Sequence, residues 1–544
     1  MANESDYEGL HRSFRWEVPE FFNFGADVVD RWAADPGRMA LIWCDGAGAE
    51  ERYSFRDMSE LSNRFANALA AAGIRRGDRF IVMLPRVPQW QVAMVGCLKA
   101  GVIPIPCIEM LTAGDVEYRV RNAEARGAIT TAANTGKFDA FPDLPCRLAV
   151  GESGSDAQSG SGWTGYARAM AAASPAFEAV RTAAEDPAII YYTSGSTGSP
   201  KGVTHASRAL WSWRVCAEHW QGFRPDDVTW CTADTGWSKA GTAILFGPWS
   251  RGTAVVFFDG RFDPAERLLL LARHRVTVFC AAATELRALV GHGLAGHDLS
   301  ALRLVTSAGE SVDPGTVEAW RDRAGIPVLD GYGQTEILMV VVNGRSFPVR
   351  PGSMGRALPG SVAAVLEADG SVHEDAAGRT GELAIRLPNP QMMLGYWRDP
   401  TRTEAARVTA DGVEYHRTGD LVRVDADGYF FHQGRTDDVV NSAGYRIGPS
   451  EVEAVLLRHP AVLECAVAAS PDPQRGEVVK AFVILNPGHA ASPELVEALQ
   501  AFAKQQTAPY KYPRRIEFVA ELPKTPTGKV RRRVLRDREF GVSS

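Results

Sequence analysis

No run of about 18 uninterrupted apolar residues, the minimum for a membrane-crossing helix, occurs anywhere in the chain. Even the stretch LLLLARHRVTVFCAAA is cut by Arg273, His274 and Arg275, so membrane insertion is not expected. Cysteine is sparse: the eight (Cys44, Cys97, Cys107, Cys146, Cys216, Cys231, Cys280 and Cys465) show no C-x-x-C and no His/Cys cluster at zinc-ligand spacing. That excludes a disulfide scaffold and points to buried, reduced thiols. The first 24 residues carry acidic groups and no continuous apolar segment, so neither a signal nor a typical transit peptide is expected, and the expected setting is cytoplasmic. A strong charge imbalance is missing too: the net charge of -6 argues against a general nucleic-acid or anionic-membrane surface. The phosphate-loop pattern G-x-x-x-x-G-K-[ST] is absent as well. Lys201 follows Pro200 and precedes Gly202, and at Gly528-Lys529 the first glycine position is Pro523 while Val530 follows.

What is present is an ordinary globular composition, 45% apolar and 23% charged, over 544 residues, too many for one compact core. Met58, Leu61, Phe65, Leu69 and Ala72 recur at helical spacing before Gly73, and FIVML (80–84) follows as a short continuous apolar run, the pattern of a buried parallel strand. PAIIYY, a Trp-rich helical stretch, VTVFCAAA and LRLVTSAG continue the alternation, which predicts an α/β architecture. Residues 151–162 read as an exposed loop. After Arg435, GYRIGPSEVEAVLLRHP predicts a helix opening on Pro449. The strands LECAVAAS, VVKAFVIL and IEFV and a helix near 494–505 then complete a small separate domain.

YYTSGSTGSPKG (191–202) is expected to be a glycine- and hydroxyl-rich turn between a strand and a helix, suited to phosphate, with Lys201 as counter-charge. With TADTGW (232–237), SAGES (307–311), DGYGQTE (330–336), HRTGDL (416–421), GRTDDVVNSAGYRIGPSEVE (434–453) and PKTPTGK (523–529), all in order, the chain resembles the adenylate-forming superfamily. That superfamily contains acyl-CoA synthetases, nonribosomal adenylation domains and firefly-type luciferases. The resemblance implies a large N-terminal domain of layered sheets and helices (1–434) and a small mobile α+β C-terminal domain (435–544) hinged near Asp437. It also implies the reaction: a carboxylic acid attacks the α-phosphate of ATP to give an acyl-adenylate and pyrophosphate, then coenzyme A takes the acyl group and AMP leaves.

Residue by residue, the resemblance puts Thr193, Ser194, Gly195, Ser196, Thr197, Gly198 and Lys201 on the phosphates. It makes Thr335 a phosphate-binding catalytic residue and Glu336, beside it, the magnesium ligand, a hard carboxylate oxygen suited to that ion. Gly309, Glu310 and Ser311 with Asp330, Gly331 and Tyr332 match the adenine wall, and Gly333 and Gln334 are further ATP/AMP-binding residues; Asp420 and Arg435 hold the ribose; Arg446 lies near phosphate. Lys529 would reach both the carboxylate and the α-phosphate during adenylation, offsetting the repulsion between two anions.

The C-terminal stretch resembles the medium-chain acyl-CoA synthetase branch, which implies coenzyme A contacts at Ala443, Gly444, Tyr445, Arg475, Tyr510, Lys511 and Tyr512. Acetyl-CoA synthetases carry a tryptophan where this chain has Gly333. Its absence, with Trp237 as a pocket wall, favours a medium-chain fatty, branched or aromatic acid over acetate. An aryl-CoA ligase is the alternative enzyme, and a catalytically dead nucleotide or acyl-CoA sensor the alternative of another class. The basic tail from Lys511 to Arg538 has a solvated face as its alternative reading, and its Pro-punctuated context argues against an RNA-binding one. Partners are the acid, ATP and coenzyme A, and a homodimer is compatible with the resemblance.

Overall fold

The computed structural model describes residues 7–151, 162–193, 200–442, 445–507, 511–524 and 530–541, together with no side-chain account of Asn441, Tyr445 and Arg446. The loop expected at 151–162 therefore falls almost wholly outside the described residues.

Two compact units emerge. The first comprises 1–351, 355–361 and 388–406, and the second 352–354, 362–387 and 407–544. No helix among the described residues is long and apolar enough to cross a membrane.

In the first unit a nine-stranded sheet runs Arg356–Ala357, Leu338–Val342, Val328–Gln334, Leu304–Ala308, Val278–Cys280, Val228–Cys231, Ala254–Asp259, Met39–Asp45 and Glu50–Ser54. Six neighbouring strands, from Val328–Gln334 to Met39–Asp45, are parallel. Their apolar runs are buried on both faces, as a parallel sheet covered by helices requires. A second, all-parallel sheet contains Arg79–Met83, the strand expected from FIVML. The helix expected after Ser54 spans Phe55–Ala71; Ser54 and Asp57 cap it reciprocally, and Phe55, Met58, Phe65 and Leu69 face the core.

The second unit holds two sheets. One is an antiparallel sheet built around Thr380–Arg386 and Val413–Val424, with Phe430–Arg435 paired to the latter. In the other, Val462–Asp472 pairs antiparallel with Gly476–Leu485, which also takes Val440–Ser442 and, in parallel, Arg515–Phe518. The expected helices are present as Pro449–Leu456 and Pro493–Gln506. The basic tail adds a third, Arg532–Glu539, whose Leu535 is buried.

One local expectation is corrected. The phosphate loop does not lead into a helix: Pro187–Thr193 and Lys201–Ala206 form an antiparallel pair, and the Trp-rich helix begins only at Ser207. The β-branched Val203 and Thr204, both buried, suit extended backbone. The loop thus connects two antiparallel strands rather than a strand and a helix.

Candidate active site

Ligand crevices in open parallel sheets lie outside the carboxyl ends of the strands. Three of the motifs follow such ends. TADTGW follows Val228–Cys231, SAGES ends and follows Leu304–Ala308, and DGYGQTE covers the end of Val328–Gln334.

Asp330, expected on the adenine wall, is buried, and its carboxylate accepts from the backbone N–H of Val312 (3.1 Å) and Gly331 (2.9 Å). It therefore fastens the SAGES loop to the neighbouring strand, and burial pushes its carboxyl up to about 7. Gly309 has φ +93°, in the left-handed region where glycine is favoured. Glu310 is half-buried, Ser311 is exposed, and Tyr332 and Gln334 are half-buried at the strand end. Gly331 leaves room for Trp220, which a Cβ would meet at 3.0 Å.

Gly333 has a reason for being glycine that its position in the motif did not reveal. A Cβ there would lie 1.9 Å from the carbonyl oxygen of Leu338, across the hairpin joining Val328–Gln334 to Leu338–Val342. The missing side chain is a demand of the backbone before it is space for an acyl chain. Trp237 lies half-buried just before the short helix Ser238–Ala240.

Lys201 opens its strand beyond the hairpin tip. Its Nζ lies 2.7 Å from Glu336 Oε1 and 2.8 Å from the Tyr396 hydroxyl, which also donates to Glu336 Oε1 (2.9 Å). Burial alone would push the Glu336 carboxyl up, but Lys201 and Tyr396 outweigh it, and the group lies below its ordinary value. The Thr335 hydroxyl is 3.2 Å from Ser238 Oγ. Tyr396, in GYW, was not singled out from the sequence; its link to Glu336 depends on the short pairing of Gly395–Tyr396 with Val203 and Thr204. Thr193 ends the strand entering the loop, and Ser194, Gly195, Ser196, Thr197 and Gly198 lie outside the described residues.

In the second unit Asp420 and Arg435 face each other in register on antiparallel strands. The buried Asp420 Oδ1 lies 3.5 Å from Arg435 Nη1 and 3.3 Å from His432 Nε2. Arg435 also donates to the Thr418 carbonyl (2.9 Å). Behind the turn, Glu382 accepts from the Gly419 N–H and pairs with Arg417.

Gly444, Ala443, Tyr510 and Lys529 lie outside the described residues, and so do the side chains of Tyr445 and Arg446. Their surroundings are described. Lys524 and Val530 pair across the base of the segment carrying Lys529, and the pairing of Ser442 with Gly476 sets Arg475 beside the strand entering Ala443. Lys511 pairs with Glu451 (2.6 Å), and the Tyr512 hydroxyl accepts from Arg514 (3.0 Å). The Asp437 carbonyl accepts from Arg536 (3.0 Å).

These arrangements suit a protein that binds a nucleotide through several separate motifs, and the comparisons agree. Residues 29–397 match the AMP-binding enzyme family and residues 451–529 the AMP-binding enzyme C-terminal domain. The chain belongs to this adenylate-forming family.

Acyl-coenzyme A synthetase ACSM3, mitochondrial, of Homo sapiens is 39% identical, over 99% of this chain and 93% of its own. Among solved structures, the anthranilate CoA ligase AuaEII in complex with anthranoyl-AMP aligns with a TM-score of 0.86 at 30% identity, covering 96% of this chain and 98% of that one. The benzoate CoA ligase from Burkholderia xenovorans LB400 aligns at 0.82 and 30% identity, covering 95% and 100%. Within the family the chain sits in the medium-chain acyl-CoA synthetase branch, as an AMP-forming acid–CoA ligase.

The cytoplasmic setting expected from the sequence is overturned by such relatives, which are mitochondrial acyl-CoA synthetases alike over nearly the whole chain. Reduced thiols fit a mitochondrial matrix as well as a cytosol, so they never separated the two.

Proposed function

We propose that this enzyme activates a medium-chain fatty or branched acid, by adenylation and then transfer to coenzyme A, with the ATP residues named above. The observation that best supports the reading is the side-by-side placement of Lys201 and Glu336 at the foot of the SGSTG hairpin. Phosphate oxygens of ATP would accept from the Lys201 ammonium. Among the described residues no group of three or more His, Cys, Asp or Glu is placed to hold a metal. Magnesium needs only one or two carboxylates when substrate phosphates supply the rest, so Glu336 with the Thr335 hydroxyl fits it. Bound there, the ion would offset phosphate charge.

In the first half-reaction an oxygen of the acid attacks the α-phosphorus and the bond to pyrophosphate breaks. Lys529 would neutralise the approaching anions. In the second, the thiol sulfur attacks the acyl carbon, AMP leaves, and the thiol proton goes to solvent. Ala443, Gly444, Tyr445, Arg475, Tyr510, Lys511 and Tyr512 would serve that step, after the residues beyond Asp437 rotate about it. The likeness to anthranilate and benzoate ligases supports an aryl acid as second reading.

An AMP-release assay with coenzyme A against acids from acetate to laurate, branched acids and benzoate tests the substrate. Preference for acetate would refute the medium-chain reading. For the domain movement, Lys529→Ala should slow adenylation and Gly444→Leu the thioester step; equal loss of both steps in both variants would count against it.

A further inference from the structure

Strand Lys201–Ala206 meets the Thr335–Glu336 turn with more than its lysine. Residues four apart on a strand share a face, and His205 lies four beyond Lys201. Its Nε2 is 2.5 Å from the Thr335 carbonyl oxygen. A carbonyl only accepts, so Nε2 carries the hydrogen; charging a fully buried ring with no acceptor at Nδ1 among the described residues would be costly, so the ring is the neutral tautomer with a bare Nδ1.

The ring is fully buried, tilted against Trp213 with centroids 6.2 Å apart, and Nδ1 has no partner among the described residues. The Trp213 indole donates to Thr242 (2.8 Å), which reaches the Ser238 carbonyl at 3.4 Å; Ser238 in turn meets the Thr335 hydroxyl. On the far side the Glu336 carbonyl accepts from the Met393 N–H (2.8 Å). Thr335 is thus gripped at its carbonyl and its hydroxyl, and Glu336 at its carbonyl and its carboxylate. A leucine would fill the space beside Trp213 without burying an unpaired nitrogen, which carries a desolvation cost. What histidine adds is one fixed donor aimed at the residue before Glu336.

We propose that His205 is a positioning residue for adenylation, holding the Thr335–Glu336 peptide so that the hydroxyl and carboxylate meet the ATP phosphates. The role rests on the reading that these two residues serve the first half-reaction. Acid-dependent pyrophosphate release by the parent enzyme checks that reading separately.

In His205→Leu the donor is lost; in His205→Gln a side-chain N–H of similar reach is retained. One neutral hydrogen bond sets the scale, and its loss should slow pyrophosphate-forming kcat about tenfold. Transfer from supplied acyl-adenylate to coenzyme A should stay near the parent rate in His205→Leu, and His205→Gln should recover most of the first step. Equal slowing of both half-reactions in His205→Leu, or a glutamine variant no better than the leucine one, would overturn the proposal. Nitrogen-15 NMR of the parent enzyme gives a check that needs no folded variant: hydrogen on Nε2 supports it, and hydrogen on Nδ1 with Nε2 bare refutes it.

Discussion

Placing any side chain at Gly333 separates two explanations for that glycine, room for substrate and close approach of two strands. A Cβ built there stands 1.9 Å from the Leu338 carbonyl oxygen, 2.7 Å from its carbon and 3.0 Å from the Met339 Cα, all backbone atoms. No rotamer relieves such an overlap, so the hairpin itself must move. Leu338 is already left-handed, at φ +54°. Forced overpacking in a tight site costs about 1–3 kcal/mol, and backbone displacement puts Gly333→Ala at the upper end, ~3 kcal/mol. The moved hairpin carries Gln334 and leads to Thr335 and Glu336, so adenylation should fall with stability. The assay pairs a denaturant titration with pyrophosphate release across acids of increasing length. Gly333→Ala is expected to lose stability and to slow with every acid. A Gly333→Ala or Gly333→Trp enzyme with parental stability, whose only change is a turn toward acetate, would refute the backbone explanation and restore the pocket one.

Lys201→Met removes the ammonium at the hairpin foot, and pyrophosphate formation should drop about 10²-fold while transfer from supplied acyl-adenylate suffers far less; separate rates for the two steps check this. Asp330, with its carboxyl raised to about 7 by burial, is an acid held above its unfolded value of about 3.9. Its contribution to stability is full below that value and is lost as pH rises through about 7, because ionising the buried group costs more in the folded state. The melting temperature of Asp330→Asn relative to the parent should therefore climb across that interval, and a flat difference would contradict the burial argument. Lys99, fully buried, donates to Asp30 (2.5 Å), Asn63 (2.6 Å) and the Ser59 carbonyl (3.2 Å). Breaking a buried pair costs about 3–5 kcal/mol, and the partial exposure of Asp30 places Lys99→Met at the lower end, readable as a shifted urea midpoint.

Family, reaction and order of motifs were legible in the sequence because they depend on residue types in fixed local runs: SGSTGSPKG, QTE, TGD and the GRTDD joint. Buried parallel strands were legible too, since continuous apolar runs bounded by turns have few other uses. Local signals failed where two distant backbones meet. The strand after the phosphate loop was expected as helix because glycine and lysine say little about pairing, and only its ladder with Pro187–Thr193 made it extended.

Gly333 was read as missing bulk, whereas the strand opposite is what excludes a side chain. Asp330 was read as a ligand-facing residue, and its carboxylate is engaged by two backbone N–H groups. Tyr396 and His205 carry no motif of their own. They matter because sheet pairing brings residues far apart in the chain to the Thr335–Glu336 turn. The ordered motifs, through their resemblance to a known superfamily, thus indicated what chemistry the chain can perform. Which side chains hold the reacting groups in place was decided by tertiary structure alone, because hydrogen bonds and steric contact act through space over a few ångströms and ignore distance along the chain.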